Sequence, residues 1–462
     1  MRAALVHSAT VTWRTPSPFA RDNGAVDRTI GRRRSLALTS LAHFTNDGTV
    51  FFVPVIAAIV ASHRGVSAGV VTLLFLVFYT SSTVLSLFVG RLSDRLGRPA
   101  SLMGLGLGIL SLGLFAFYLA LAETTGTALV IALLLAAFLT GSGSSFYHPL
   151  GASVLQTTFR DRSMGMALGI NGALGSLGRA LYPSLYFVAA AVIAGYGSIV
   201  LFALVGFAAG LAIWLGVRVP AAEHTPREAL PGASGTASAS DPSSASGFAG
   251  DGSPGASPTR GATRSDTLTR GILILTAVAF LRSSATQGIA SWIPTYLATQ
   301  KGLGVSGNLG LAVTIMYASA IIGQPVFGLL VDRFDKRAVL ALSSSGAAVT
   351  TVGYLSLGPG WIGEAWLFAF GFFVFSGFPL LLSMVGDYVP RGESSLANAL
   401  VWGIGSTAGG AVGPLVAGAL TGGDYGRLGF AFTVLAGAAL VSAFATILVP
   451  KAKRASRMRA FA

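Results

Sequence analysis

Runs of roughly 20 mostly apolar residues return a dozen times along this chain, with short connections between most of them. That recurrence constrains the fold more than any motif does. A helix rises about 1.5 Å per residue, so each run is long enough to cross a ~30 Å hydrocarbon layer. The runs are continuous and do not alternate with period 2, which argues against a β-barrel. Only 10% of the 462 residues are charged, whereas a soluble protein carries about a quarter. Sixty glycines suit helices that approach closely in lipid. The expected fold class is an all-α polytopic membrane protein.

The runs fall at 36–61, 67–90, 100–122, 127–155, 163–190 and 196–218, then at 270–299, 305–330, 338–358, 362–389, 395–420 and 427–449. Between the two sets lies 219–269, rich in Ser, Gly, Ala and Pro and almost without large apolar residues. Such a stretch buries too little surface to offset its ordering entropy, so it reads as a flexible linker. The expected organisation is a disordered N-terminus (1–34), a six-helix bundle (35–218), the linker (219–269), a second bundle (270–450) and a basic tail (451–462). Arg32-Arg33-Arg34 before the first run reads as a cytoplasmic anchor in preference to a twin-arginine signal, because the following run is of full spanning length.

The net charge of +14 would suit a nucleic-acid binder, but its distribution does not. Arg91, Arg95 and Arg98, Arg160 and Arg162, the linker arginines, Arg333, Lys336 and Arg337, Arg391 and the basic tail all fall on one side of a twelve-span plan. The other side holds little beyond Arg64, Lys301 and Arg427. By the positive-inside rule both termini and the linker are expected in the cytoplasm, with the chain in the cell membrane as a monomer. The absence of cysteine excludes disulfides, thiolate metal sites and cysteine catalysis. No GxxxxGK[ST] or HExxH motif occurs to support an ATPase or a zinc hydrolase, and no cofactor or metal is expected.

The halves repeat. "GRLSDRLGRP" (90–99) has a counterpart in "GLLVDRFDKR" (328–337), and "NDGTVFFVP" (46–54) one in "TQGIASWIP" (286–294). A looser pair is "FYHP" (146–149) against "GFPL" (377–380). Duplicated bundles of this kind are common among secondary transporters. The spacing Gly90-x-x-x-Asp94-Arg95-x-Gly97-Arg98, with Asp332-Arg333 in the second copy, resembles the signature loop of the major facilitator superfamily. That resemblance implies twelve transmembrane helices in two six-helix repeats and alternating access. The glycines permit tight turns, and Asp94, Arg95 and Arg98 are expected to form a gate toward the start of span 11. A narrower likeness joins His43-x-x-Asn46-Asp47 and Tyr147-His148-Pro149 to the fosmidomycin-resistance group of efflux proteins, although Leu150-Gly151 and Arg179 depart from that group's pattern.

Asp47 lies near the middle of the first run, where a carboxylate costs about 2.5–3.5 kcal/mol to insert. His43 sits one turn earlier on the same face. The pair is expected to handle protons, against the alternative of a polar cluster that only joins helices. Arg282 and Arg179 are the candidate cations for a substrate or for Asp47. Asn46, Gln287, Tyr147, His148, Asn171, Trp292 and Trp402 are the remaining candidate substrate contacts, each also explicable as packing. The expected function is proton-coupled efflux of a small organic solute by antiport, with no enzymatic activity. Its partners would be the solute, protons and the bilayer. Uptake by symport is the first alternative, and a transporter-like sensor the alternative from another class.

Overall fold

The computed structural model describes residues 23–159, 164–217, 266–388, 397 and 399–451. Most of the N-terminal stretch, Arg160, Arg162, the linker, Arg391 and most of the basic tail lie outside the described residues. The described chain is helical, without strands. The first half comprises α1 (Asn23–Arg64), α2 (Ala68–Leu96), α3 (Pro99–Glu123), α4 (Gly126–Ser144), α5 (Tyr147–Thr158), α6 (Met164–Ala190) and α7 (Gly197–Gly216). The second comprises α8 (Asp266–Thr299), α9 (Gly307–Arg333), α10 (Lys336–Leu355), α11 (Trp361–Val374) and α12 (Gly377–Tyr388). There follow a π-wound stretch (Ala399–Ala408), α13 (Gly409–Thr421) and α14 (Leu428–Ala445).

Ten helices among the described residues are long and apolar enough to cross a membrane. The other two expected runs fall on α6 and on the pair α11/α12. The expectation of unbroken fourth and tenth runs (127–155 and 362–389) is corrected. Each is split by a two-residue gap, at Ser145–Phe146 and at Phe375–Ser376. The cause is visible in the sequence: Pro149 and Pro379 are each the third residue of the segment after the gap. Proline lacks the N–H that would bond four residues back, so the helix cannot run through the gap unbroken.

Helix ends follow local chemistry. Gly97 caps α2 in the left-handed region (φ 62°), with its N–H donating to Ser93 O (2.8 Å), and Pro99 opens α3. The tight turn expected of the signature loop is therefore formed at Gly97, whereas the turn expected at Gly90 is corrected, because Gly90 lies inside α2. Asp335 caps the start of α10 by accepting from Arg337 N (2.9 Å). The loops that contain these residues, 97–98 and 334–335, mark one face of the molecule, called here the basic face. Arg91, Arg95, Arg98, Asp332 and Arg333 are exposed there. The Asp94 side chain and the start of span 11 lie outside what is described, so the expected gate between them is not described either.

The bundles meet through α1 against α8, α2 against α13 and α6 against α9. Among the described residues, the hydrogen bonds joining them lie on the side away from the basic face. Ala68 N donates to Gly423 O (3.3 Å), and the Tyr425 hydroxyl donates to Val66 O (2.8 Å). Hydroxyl pairs join Tyr79 to Ser291 and Ser184 to Thr314, both at 2.8 Å. Phe51 of α1 meets Tyr317 of α9 (ring centroids 5.1 Å), and Phe75 of α2 meets Trp292 of α8 (5.3 Å). The two halves are thus sealed on the opposite face, with no such bond joining them toward the basic face among the described residues.

Candidate functional site

The site grows from the close docking of α1 on α6. A side chain at Gly178 would collide with the Phe44 backbone, and one at Gly175 would enter the His43 ring. Gly48 lies likewise under the Tyr182 ring. Three glycines therefore let α1 approach α6 and place the polar turn of α1 against it.

Asp47 is 2% exposed and sits at the centre. Arg179 donates through Nη2 to Asp47 Oδ2 at 3.0 Å. His43 Nε2 is 3.4 Å from the same oxygen, and His148 Nε2 is 3.3 Å from Oδ1. Asn46 Nδ2 donates to Oδ1 at 3.1 Å. One buried carboxylate thus faces three cationic or titratable groups drawn from α1, α5 and α6. His148, a candidate substrate contact, lies beside the carboxylate. The gap at Ser145–Phe146 starts α5 level with Asp47, so His148 reaches the carboxylate.

Further contacts hold His43. Its Nδ1 lies 2.9 Å from both Asn171 O and Asn171 Oδ1. Asn171 Nδ2 donates to the Tyr147 hydroxyl (2.9 Å), which donates to Thr39 O (3.0 Å). Tyr147 also stacks on the imidazole at 4.7 Å. His148 is 64% exposed, so the buried carboxylate has a neighbour that touches solvent-accessible space. His43, Asp47 and His148 offer ligand atoms within 4.8 Å of one another, a spacing a divalent ion could span. Arg179 places a permanent positive charge on the same carboxylate and opposes such an ion.

Of the candidates, His43, Asn46, Asp47, Tyr147, His148, Asn171 and Arg179 come together. Arg282, Gln287, Trp292 and Trp402 do not join them. Arg282 is 3% exposed and donates through Nη2 to Ser343 Oγ (2.7 Å), Phe373 O and Val374 O (both 3.0 Å). Those two carbonyls end α11, where the gap leaves them without helical partners. Arg282 is thus a cap on a helix C-terminus, where a cation is favoured. Gln287 packs near Gly410 of α13. Trp292 is fully buried in the seal and donates to Pro414 O (2.9 Å). Trp402 lies partly exposed on the π-wound stretch. Phe51 was not among the candidates, yet its ring lies 4.3 Å below the Arg179 guanidinium. Its sequence signal was only an aromatic one turn after Asp47, indistinguishable from packing.

Two bundles of helices, each with a broken fourth span, around a buried polar centre form the arrangement of a membrane transporter. The family model described as Major Facilitator Superfamily matches residues 36–401 and 303–460. The chain belongs to that superfamily of small-solute transporters, which are generally not enzymes. It is 34% identical over 185 residues to the fosmidomycin resistance protein of Escherichia coli (strain K12), over 39% of this chain and 42% of that relative. The match therefore spans less than half the length of that curated relative. Among solved structures, a bacterial homologue of the human lysosomal transporter Spinster, inward-facing and unoccupied, matches with TM-score 0.62 and 16% identity over 91% of this chain and 95% of that one. The nucleoside transporter NupG matches with TM-score 0.64 and 13% identity over 91% and 98%. At these identities the structures establish the shared fold.

Proposed function

We propose that this protein is a proton-coupled antiporter that exports a small organic solute, with the proton held between His43 and Asp47. The observation that carries this reading is the bonding of His43. Asn171 O only accepts, so His43 Nδ1 must be the donor. In a neutral ring the other nitrogen, Nε2, then turns a lone pair toward Asp47 Oδ2. That contact is favourable only when a proton lies between the two atoms, as imidazolium against carboxylate or as imidazole against carboxylic acid. Loss of the proton leaves two lone pairs facing each other and passes the carboxylate to Arg179 and His148. His148 is the route by which the proton reaches solvent on the open side.

Export is favoured by the name of the relative, a resistance protein. The basic face is cytoplasmic on the positive-inside rule, so a solute enters from the cell interior in the form described here. Arg179 and the exposed His148 would bind it. The test is transport of fosmidomycin by the full chain in proteoliposomes with an imposed pH gradient. The expected result is movement against the proton flux that is lost in Asp47→Asn. Equal movement without a gradient, or an unaltered Asp47→Asn variant, overturns the coupling; movement with the proton flux would make the protein a symporter.

A further inference from the structure

A chain of contacts leads from the proton site to the seal between the halves, and it runs through a single side chain. The Arg179 guanidinium bonds Asp47 with one edge and lies with its carbon 4.3 Å from the Phe51 ring centroid. Phe51 in turn stands edge-on to Tyr317 (5.1 Å, 81°) and to Phe375 (6.2 Å, 80°), and those two rings touch each other at 5.4 Å. Arg179 also lies 5.9 Å from the Phe375 ring. Tyr317 and Phe375 belong to the second half. Phe375 occupies the gap between α11 and α12, whose flanking carbonyls Arg282 holds. The far end of the chain of contacts is therefore fixed, while the near end is charged.

Arg179 Nε is buried and has no partner. The guanidinium is thus held in place by Asp47 and by the aromatic face beneath it. The groups that face Asp47 are His43 from α1, His148 from α5 and Arg179 from α6, with neutral Asn46 beside them. Arg179 is the group among them that also reaches the seal.

We propose that Phe51 is a positioning residue that locks the seal when Asp47 is ionised and unpaired with a proton, by holding Arg179 against the aromatic cluster of the second half. The proposal rests on the proton-site reading above and adds the element through which that site acts on the opposite face. With Asp47 ionised, Arg179 is anchored over Phe51 and the seal is closed. With Asp47 neutralised, the anchor is lost, the cation leaves the ring face, and the seal can part. An empty, deprotonated carrier is then held shut on the opposite face, which prevents futile cycling.

The chain has no cysteine, so spin labels can be placed at Ser62→Cys and Arg427→Cys, both exposed on the opposite face, in the otherwise unaltered full chain. Electron-electron distance measurements then report how often that face is open. Asp47→Asn is expected to raise the open fraction about thirtyfold, the scale of one desolvated cation–π contact. Adding Phe51→Leu is expected to abolish that response, and Phe51→Tyr, which keeps the ring, to preserve it. A Phe51→Leu protein that still responds fully to Asp47→Asn overturns the lock, as does a Phe51→Tyr protein that behaves like Phe51→Leu. Phe375→Leu, further along the same contacts, is expected to weaken the response if Phe51→Leu fails to fold; an undiminished response there also overturns it. If Asp47→Asn leaves pH-driven transport intact, the proton-site reading fails. If Asp47→Asn uncouples transport but the distances ignore Phe51, the lock alone fails.

Discussion

At the scale of single residues the site is an exercise in close approach. Gly175 and Gly178 admit the His43 ring and the Phe44 backbone, and nothing larger fits. Gly175→Ala is therefore expected to displace His43 and reduce pH-driven transport at least tenfold, whereas Gly169→Ala, which faces open space, should leave it unchanged. Proteoliposome transport rates of the two variants, with equal reconstitution confirmed, make the comparison. The carboxylate at Asp47 and its neighbour His43 were legible in the sequence, because a charge in an apolar run is conspicuous and a spacing of four places it on one face. His148 was legible as a candidate, but its contact with Asp47 was not, since its height depends on a helix break. Arg282 and Arg179 looked alike in sequence, both single arginines within apolar runs. What separates them is the acceptor each meets: a carboxylate for Arg179, two orphaned carbonyls for Arg282.

At the scale of elements, the two halves treat the same break differently. In each, the first helix sends one ionisable group to the broken fourth span: Asp47 to His148 on α5, Arg282 to the end of α11. The first contact can be titrated and the second cannot, so the second half acts as the fixed frame. The apolar runs and the duplication were readable in the sequence; the breaks were foreshadowed only by the loosely matched FYHP and GFPL. Outside the membrane, α10 depends on its cap. Hydrogen bonds from Arg337 and the nearby guanidinium charge lower the Asp335 carboxyl below its ordinary 3.8. A lowered folded-state value means the stabilisation is complete above the ordinary value and is lost as pH falls through the lowered one. The group is half exposed, so the effect is set by the cap, about 1 kcal/mol. Asp335→Ala is expected to lower the thermal unfolding midpoint at pH 7 and to match the parent once the pH is well below that of an ordinary aspartate.

At the scale of the whole molecule, the two halves form a carrier closed on the opposite face. A Ser184→Cys/Thr314→Cys pair replaces hydroxyls 2.8 Å apart across the halves and is expected to form a disulfide on mild oxidation. Transport should stop and return on reduction, read as rate against the fraction cross-linked. Failure to cross-link in the resting protein would contradict the sealed arrangement. The same seal has a consequence for the solution around it. It consists of aromatic rings, hydroxyls and backbone groups, and the ion pairs found between described residues all lie within one half. Dissolved salt screens charges over about 10 Å at 0.1 M and has little to act on in such a surface. On the basic face, by contrast, Arg91, Arg95, Arg98 and Arg333 are exposed, and Lys336 and Arg337 sit in ion pairs with Asp387 and Asp335, charges on which ions in the medium act. Ionic strength is thus a handle that works on one face of the carrier and leaves the other alone.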